Sequence, residues 1–395
     1  MDYNFDEIVD RRNTNSYKWD SHRDVPADTL PLWVADMDFR TAPAIVDALR
    51  KRVEHGVFGY TYVPDEYYKA VIDWFENRHG IRFKRESIIY TSGVVPAVSA
   101  IIKALTQEDD KVIIQTPAYN CFFSSIRNNG CLVAENPLLY DNGRYSIDYE
   151  GLESLASDSR CKVLLFCNPH NPSGRVWTKE ELQKVADICM RHNVFVISDE
   201  IHCEFTFDHH RYIPFASLSP EVALMSATCV SPSKAFNIAG LQIANIISDD
   251  SDTRARIDRA ININEVCDVN PFGVVATIAA YTQGSDWLEA LKDYLWNNYL
   301  YLRSRIEPYG DVLKLTPLEG TYLSWLDISS YKIKADVFSD KLLGKEHLML
   351  NPGTMYGAAG EGFVRINLAC PRKVLIEAVD RLLTFVAQLS LNFDK

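Results

Sequence analysis

Five short, almost wholly apolar runs separated by helical stretches constrain the fold of this chain more than any other feature. They are Lys111–Gln115 (KVIIQ), Val163–Cys167 (VLLFC), Val194–Ser198 (VFVIS), Ala223–Ala227 (ALMSA) and Gln242–Ser248 (QIANIIS). Runs this apolar suit strands buried on both faces. Strands alternating with helices imply crossover connections, so the expected fold is α/β, with a mostly parallel central sheet covered by helices. The link Thr178–His192 reads as a helix, with Thr178 as N-cap and Glu180 and Glu181 in its first turn.

Beyond about residue 285 the texture changes. A long helical pattern, Trp287–Glu307, leads to strand-like Asp311–Thr316 and Thr321–Asp327. A helix near Ala335–Leu343, a strand at Gly362–Asn367 and a closing helix from Pro371 to near Leu389 follow. The first 48 residues read as irregular and are expected to pack on this part. The expected division is a large domain over 49–285 and a smaller α+β domain from 1–48 plus 286–395. A chain of 395 residues fits two such units.

The chain carries 41 basic and 53 acidic residues, a net charge of -12. That balance argues against a nucleic-acid or anionic-membrane surface, which needs concentrated Lys and Arg. No apolar run approaches the ~18 residues of a membrane span. The start, MDYNFDEIVDRR, lacks the basic and apolar pattern of a secretory signal. Nine cysteines without C-x-x-C spacing read as reduced thiols, so a cytoplasmic location is expected. Neither His209-His210 nor the cluster Asp199-Glu200-Ile201-His202-Cys203-Glu204 has zinc-site spacing, so no metal is expected.

Ligands of open α/β sheets gather beyond the carboxyl ends of strands, and polar residues follow each run. Asp199 follows VFVIS; a buried carboxylate there suits a cation such as a protonated pyridine, or it could cap the next helix. Asn168-Pro169-His170-Asn171-Pro172-Ser173-Gly174 follows VLLFC as a rigid turn that can fix the Asn171 amide as a donor, or be an ordinary turn. Lys234, in Ser231-Pro232-Ser233-Lys234, follows ALMSATCV. A desolvated lysine is a competent Schiff-base nucleophile and general base, with Ser231 and Ser233 near phosphate oxygens; a surface lysine beside a serine cap is the alternative. The turn Ser92-Gly93-Val94-Val95 opens a helical pattern and offers backbone N–H groups to a phosphate. Tyr119, beyond KVIIQ, could stack on a planar cofactor or pack in the core. Arg365, in Phe363-Val364-Arg365-Ile366-Asn367, suits a substrate carboxylate or a structural ion pair.

In this order the features resemble the fold-type I pyridoxal-phosphate (PLP) enzymes of the aspartate aminotransferase superfamily, over nearly the whole chain. Pro31-Leu32-Trp33-Val34-Ala35-Asp36-Met37-Asp38-Phe39, Ser198-Asp199-Glu200-Ile201-His202, Ser233-Lys234-Ala235-Phe236-Asn237-Ile238-Ala239-Gly240-Leu241 and Val364-Arg365-Ile366-Asn367 are similar to the cystathionine β-lyase branch (MalY/PatB type) of carbon–sulfur β-lyases. The resemblance implies that Lys234 carries PLP as a Schiff base and acts as general base, and that Asp199 pairs with the pyridine nitrogen. It implies that Asn171 donates to the ring's phenolate oxygen with His202 on the same side, and that Tyr119 stacks on the ring. Gly93, Val94, Val95, Ser231 and Ser233 would surround the phosphate. Tyr60 would reach the neighbouring subunit's phosphate, which implies a homodimer. Arg365, helped by the backbone near Ala35, would hold the substrate α-carboxylate. The implied reaction is β-elimination of L-cystathionine or a related thioether to a thiol, pyruvate and ammonia.

Two positions depart from the aminotransferase pattern: Gln242 stands where many carry Arg, and His202 where many carry Tyr. An aminotransferase of unassigned specificity uses the same residues and is the alternative; a PLP-binding regulatory protein is a third reading. Trp33, Phe39 and Tyr322 are candidates for the wall facing the far end of the substrate, or for core packing.

Overall fold

The computed structural model describes residues 3–390 apart from residues 23, 264, 266 and 311. Its central sheet has seven strands: β1 (Ile88–Thr91), β2 (Lys111–Thr116), β3 (Leu132–Pro137), β4 (Cys161–Cys167), β5 (Phe195–Asp199), β6 (Ser226–Val230) and β7 (Ala244–Ile247). The spatial order is β1-β7-β6-β5-β4-β2-β3, with only β7 running against its neighbours. The α/β expectation holds.

Strand alternation sorts the apolar runs onto two faces. Val112, Ile114, Val163, Leu165 and Ile197 pack with Ala97, Val98, Ile101 and Ile102 of the helix Val94–Leu105. Ile113, Leu164, Phe166 and Val196 pack on the opposite face with Leu182, Val185 and Ala186 of the helix Lys179–His192. Full burial of each Val, Leu, Ile or Phe side chain among them contributes roughly 1.5–3 kcal/mol. Thr178 caps the latter helix in a reciprocal capping box with Glu181.

One strand starts later than the sequence implies. Residues 220–224 form a short helix, Pro220–Leu224, because the Ser219 hydroxyl accepts the Val222 N–H and Pro220 suits the first helical position. β6 therefore begins at Ser226. The outer strands β1 and β3 are only partly buried, so neither shows as an apolar run.

A second, antiparallel sheet has the order β8-β9-β11-β10, formed by β8 (Lys314–Leu315), β9 (Leu323–Asp327), β10 (Asn351–Pro352) and β11 (Phe363–Asn367). The helices Ala335–Glu346 and Arg372–Ser390 accompany it, and Ser285–Ile306 is the long helix leading in. Leu30–Pro31 pairs in parallel with Leu348–Met349, which ties the N-terminal segment to this region. That segment is more regular than its composition implies: it contains the helix Tyr17–Asp20 and the start of the helix Pro43–Glu54, within which residue 49 falls.

All nine cysteines are free; Cys121 is half-buried, Cys267 exposed and the others buried. No helix among the described residues is long and apolar enough to cross a membrane. His79, Cys203 and Glu204 come within 4.8 Å of one another. The Glu204 oxygens already accept from Trp74 Nε1 (2.7 Å), Arg78 Nε (2.9 Å) and His79 Nε2 (2.8 Å), so the cluster is an ion-pair knot between helix and loop.

Candidate active site

The parallel strands deliver their polar followers to one edge. Tyr119 follows β2, Asn171 follows β4, Asp199 is the last residue of β5, and Lys234 follows β6. These four line a cavity of ≈ 200 Å³ together with Gly93, Val94, Val95, His202, Ser233 and Ala35. Gly93 precedes the helix Val94–Leu105, so the Val94 and Val95 N–H groups at its start are first-turn donors with no partner within the helix, the kind an anion can satisfy. A larger cavity, ≈ 650 Å³, lies along the N-terminal segment. Its buried cation, Lys18, is already paired with Asp38 at 2.8 Å, and none of the residues above reaches it.

Lys234 sits in the short helix Pro232–Ala235, which Ser231 caps by accepting the Ser233 N–H at 3.0 Å. Its Nζ donates to the Ala35 carbonyl at 2.5 Å. The side chain is reachable through the cavity, yet its amine lies deep. Burial draws it down to about 8, Arg365 adds to that, and the Asp36 and Asp199 carboxylates oppose it. Burial likewise pushes Asp199 up to about 6, against the Ile201 N–H that donates to Oδ1 at 3.1 Å and the charge of Lys234. Burial, with the positive charges of Lys234 and Arg365, holds His202 well below the ordinary histidine range, so the ring is neutral. Burial also raises the Tyr119 phenol, which stays protonated.

Arg365 occupies the middle of β11 and is buried. Nη1 donates to Asn171 Oδ1 at 3.1 Å, Nη2 to the Trp33 carbonyl at 2.8 Å, and the guanidinium lies 4.9 Å from the Tyr356 ring centre. A guanidinium only donates, so the Asn171 atom facing it is the carbonyl oxygen and the NH2 end is left to donate elsewhere. Arg365 Nε is buried without a hydrogen-bond partner, and among the described residues no carboxylate pairs with this cation.

The loop from Trp33 to Phe39 closes the site, held from both sides. Asn237, three residues after Lys234, accepts the Met37 N–H (3.0 Å) and donates to the Met37 (2.9 Å) and Phe39 (2.8 Å) carbonyls. Asn367, two residues after Arg365, donates to the Val34 (2.7 Å) and Asp36 (2.6 Å) carbonyls. Asn351 donates to the Trp33 carbonyl (2.9 Å), and the Tyr322 hydroxyl to that of Ala35 (3.0 Å). Sequence reasoning gave these asparagines no role; their signal is that Asn237 and Asn367 lie just past the two residues singled out for chemistry.

Two residues expected at the phosphate lie outside this chain's cavity. Ser231 is buried behind its wall, its hydroxyl donating to the Ile243 carbonyl at 2.5 Å. Tyr60 is 99% exposed. Trp33 and Phe39 are core residues. Trp33 Nε1 donates to the Lys18 carbonyl at 3.1 Å, and Phe39 packs edge-on against Phe5 and Tyr294.

The family model for aminotransferase class I and II matches residues 27–382. The chain belongs to this family. Among its relatives, cystathionine beta-lyase PatB of Bacillus subtilis (strain 168) is 42% identical over 96% of this chain and 98% of that protein. The solved structure of cystalysin from Treponema denticola, which contains a pyridoxal 5'-phosphate cofactor, superposes with a TM-score of 0.96 at 35% identity, covering 98% of this chain and 100% of that one. The PLP-bound C-S lyase from Staphylococcus hominis gives 0.90 at 34% identity, covering 97% and 98%. The fold is thus the fold-type I arrangement of PLP transferases.

The residues of this class I and II aminotransferase-family chain fit that cofactor. The cavity offers a buried carboxylate with no paired cation, a buried neutral amide donor, helix N–H groups for an anion and a lysine of lowered basicity. His202 Nδ1 and Arg365 Nε, both buried and unpartnered, are polar atoms that a bound ligand can satisfy.

Proposed function

We propose that the chain is a PLP-dependent carbon–sulfur β-lyase that releases a thiol, pyruvate and ammonia from L-cystathionine or a related cysteine thioether. The observation carrying this reading is the meeting, across one cavity, of the Lys234 amine with Asp199 and with Asn171, which Arg365 holds at 3.1 Å. The likeness to PatB and to the C-S lyase favours elimination over amino transfer.

Bound PLP supplies the electron sink that makes the substrate's Cα–H acidic. Asp199 at the end of β5 is the counter-ion that keeps a pyridine nitrogen protonated. The Asn171 NH2 is the donor for the ring's phenolate oxygen, with neutral His202 beside it. Tyr119 would cover the ring face. Gly93, Val94, Val95 and Ser233 would surround the phosphate, with Ser231 supporting the turn that carries Ser233. Arg365, already fixed by Trp33 and Asn171, takes the α-carboxylate and aligns Cα toward Lys234, helped by the loop at Ala35. Lys234, its basicity lowered to about 8 by burial, would in its free-amine form take the Cα proton. The proton leaves Cα, the Cα–H pair forms the Cα=Cβ bond, and the sulfur departs from Cβ with the C–S pair and takes up a proton to become the thiol; the 2-aminoacrylate left behind tautomerises and takes up water, giving pyruvate and ammonia.

The segment after the helix Pro43–Glu54 exposes Val57, Phe58, Tyr60 and Tyr62 together, an apolar run suited to a second copy of the chain. In such a homodimer Tyr60 serves the phosphate of the neighbouring site. The large and small domains, 49–285 and 1–48 plus 286–395, then contribute Lys234 and Arg365 respectively, and the setting is cytoplasmic.

Incubating the PLP-loaded protein with L-cystathionine and a panel of S-substituted cysteines, with and without a keto-acid acceptor, tests the activity. Acceptor-independent pyruvate with matching thiol is expected. Amino transfer to the acceptor without pyruvate would mean an aminotransferase.

A further inference from the structure

Asp36 lies one residue beyond Ala35, whose carbonyl holds Lys234, and its carboxylate acts on both the Lys234 amine and the Tyr322 hydroxyl. It does not act alone. Arg11, far away in sequence, grips it with a two-pronged pair: Nη1 to Oδ1 at 3.1 Å and Nη2 to Oδ2 at 2.7 Å. The same Nη1 also reaches Asp38 Oδ1 (2.9 Å) and the Met37 carbonyl (3.1 Å). Lys18, fully buried, holds Asp38 Oδ2 at 2.8 Å and stands 3.8 Å from Asp36 Oδ1, while Trp19 Nε1 donates to Asp38 Oδ1 at 2.9 Å. Two cations from the N-terminal segment thus balance the two acids of the site-closing loop.

We propose that Arg11 is a positioning residue for the reaction: by clamping Asp36 and Asp38 it seats the loop that holds Lys234 and Arg365, and it masks the Asp36 charge beside the Lys234 amine. The inference rests on the reading of Lys234 as the cofactor-bearing base. Nothing in the chemistry of the site requires a bidentate guanidinium at this remote point unless the charge of Asp36 has to be controlled. A lone carboxylate there would hold a proton on the lysine nitrogen and deplete the base. The other groups facing that nitrogen are Asp199 from β5, Arg365 from β11, Cys121 from the helix after Tyr119, His202, and the Tyr322 hydroxyl, which shares the Ala35 carbonyl with it. None of them contacts Arg11, so a change at Arg11 reaches Lys234 through Asp36 and the loop that carries it.

The experiment is a visible-absorbance pH titration of the PLP-loaded enzyme, whose band reports protonation of the lysine-bound nitrogen. The wild type, Arg11→Met, Arg11→Lys, Asp36→Asn and the double variant Arg11→Met/Asp36→Asn are compared, with thermal melts in parallel. Unmasking Asp36 in Arg11→Met should raise the midpoint by about one pH unit, the scale of one charge acting across several ångströms of partly solvated protein. Asp36→Asn should lower it. The double variant should return to near the wild-type midpoint, and Arg11→Lys should stay close to it. A merely structural Arg11 would lower melting temperatures and leave every midpoint in place, which overturns the proposal; so does a downward shift in Arg11→Met. If Arg11→Met does not fold, Asp36→Asn still decides, since an unmoved midpoint there removes the charge being masked. Absence of any band that Lys234→Ala abolishes would instead overturn the assignment of the lysine itself.

Discussion

Arg365→Lys separates a fork from a charge. The native guanidinium is buried, bound to Asn171 Oδ1 and the Trp33 carbonyl, with Nε unpartnered. Lysine keeps the charge and loses the planar fork. One charge-assisted hydrogen bond to a substrate carboxylate disappears, about 1.5–3 kcal/mol. Asn171 and the Trp33 carbonyl also lose a donor, although Asn351 still serves the latter, so roughly 1 kcal/mol more is lost. The sum, about 2.5–4 kcal/mol, corresponds to two to three orders of magnitude in kcat/KM. Carboxylate contacts are the same in ground and transition states, so most of the loss should fall on KM; the share acting through Asn171 should fall on kcat.

Thiol release from L-cystathionine and from its α-ester, measured with wild type and variant, completes a double cycle. The wild type should discriminate strongly against the ester and the variant weakly. The visible band, which depends on Lys234, should persist in both. If Arg365→Lys stays within about threefold of wild type on the free acid, or falls equally on acid and ester, the guanidinium does not read the carboxylate.

Two further outcomes follow from the geometry. Because burial lowers Lys234 to about 8, the rate at which apoprotein captures PLP should rise with pH and level off just above that value; stopped-flow growth of the visible band measures it, and a limb still climbing near 10 counts against a buried amine. With Tyr60 serving the neighbouring site, a refolded mixture of inactive Lys234→Ala and Tyr60→Ala chains should regain about a quarter of wild-type activity, since half the dimers are mixed and each carries one intact site. Equal mixtures that stay inactive would place Tyr60 elsewhere.

Much of this architecture was legible because burial on both faces writes itself as uninterrupted apolar runs, as in Cys161–Cys167 and Phe195–Asp199. Strand ends were legible for the same reason: a charge such as Asp199 ending such a run needs a partner. The segment at 223–227 misled because a serine cap and a proline outweigh apolar content over one turn. The Ser231 hydroxyl is visible in sequence, but its partner is not, because the Ile243 carbonyl to which it donates is brought beside it only by the fold. Trp33 resembles a pocket wall in one dimension and is core in three, as its indole N–H goes to a backbone carbonyl of the N-terminal helix. The three asparagines that hold the loop from Trp33 to Phe39 left no compositional trace, since each pairs with backbone hundreds of residues away.

Those asparagine contacts explain why the two chemical residues can act together although 131 positions separate them (365 less 234). Arg365 Nη2 and Asn351 fix the Trp33 carbonyl; Lys234 and Tyr322 fix that of Ala35, two residues along. Asn367 and Asn237 then hold the backbone on from Val34 to Phe39. A short stretch of backbone therefore spans the distance between the Arg365 guanidinium and the Lys234 amine, with each end pinned by side chains. Positional error between the two groups is limited by one loop rather than by the packing of the whole chain between them. Displacements of about 1 Å are costly in proton abstraction, which gives a physical reason for a loop so heavily hydrogen-bonded at a place where loops are ordinarily the most mobile part of a fold.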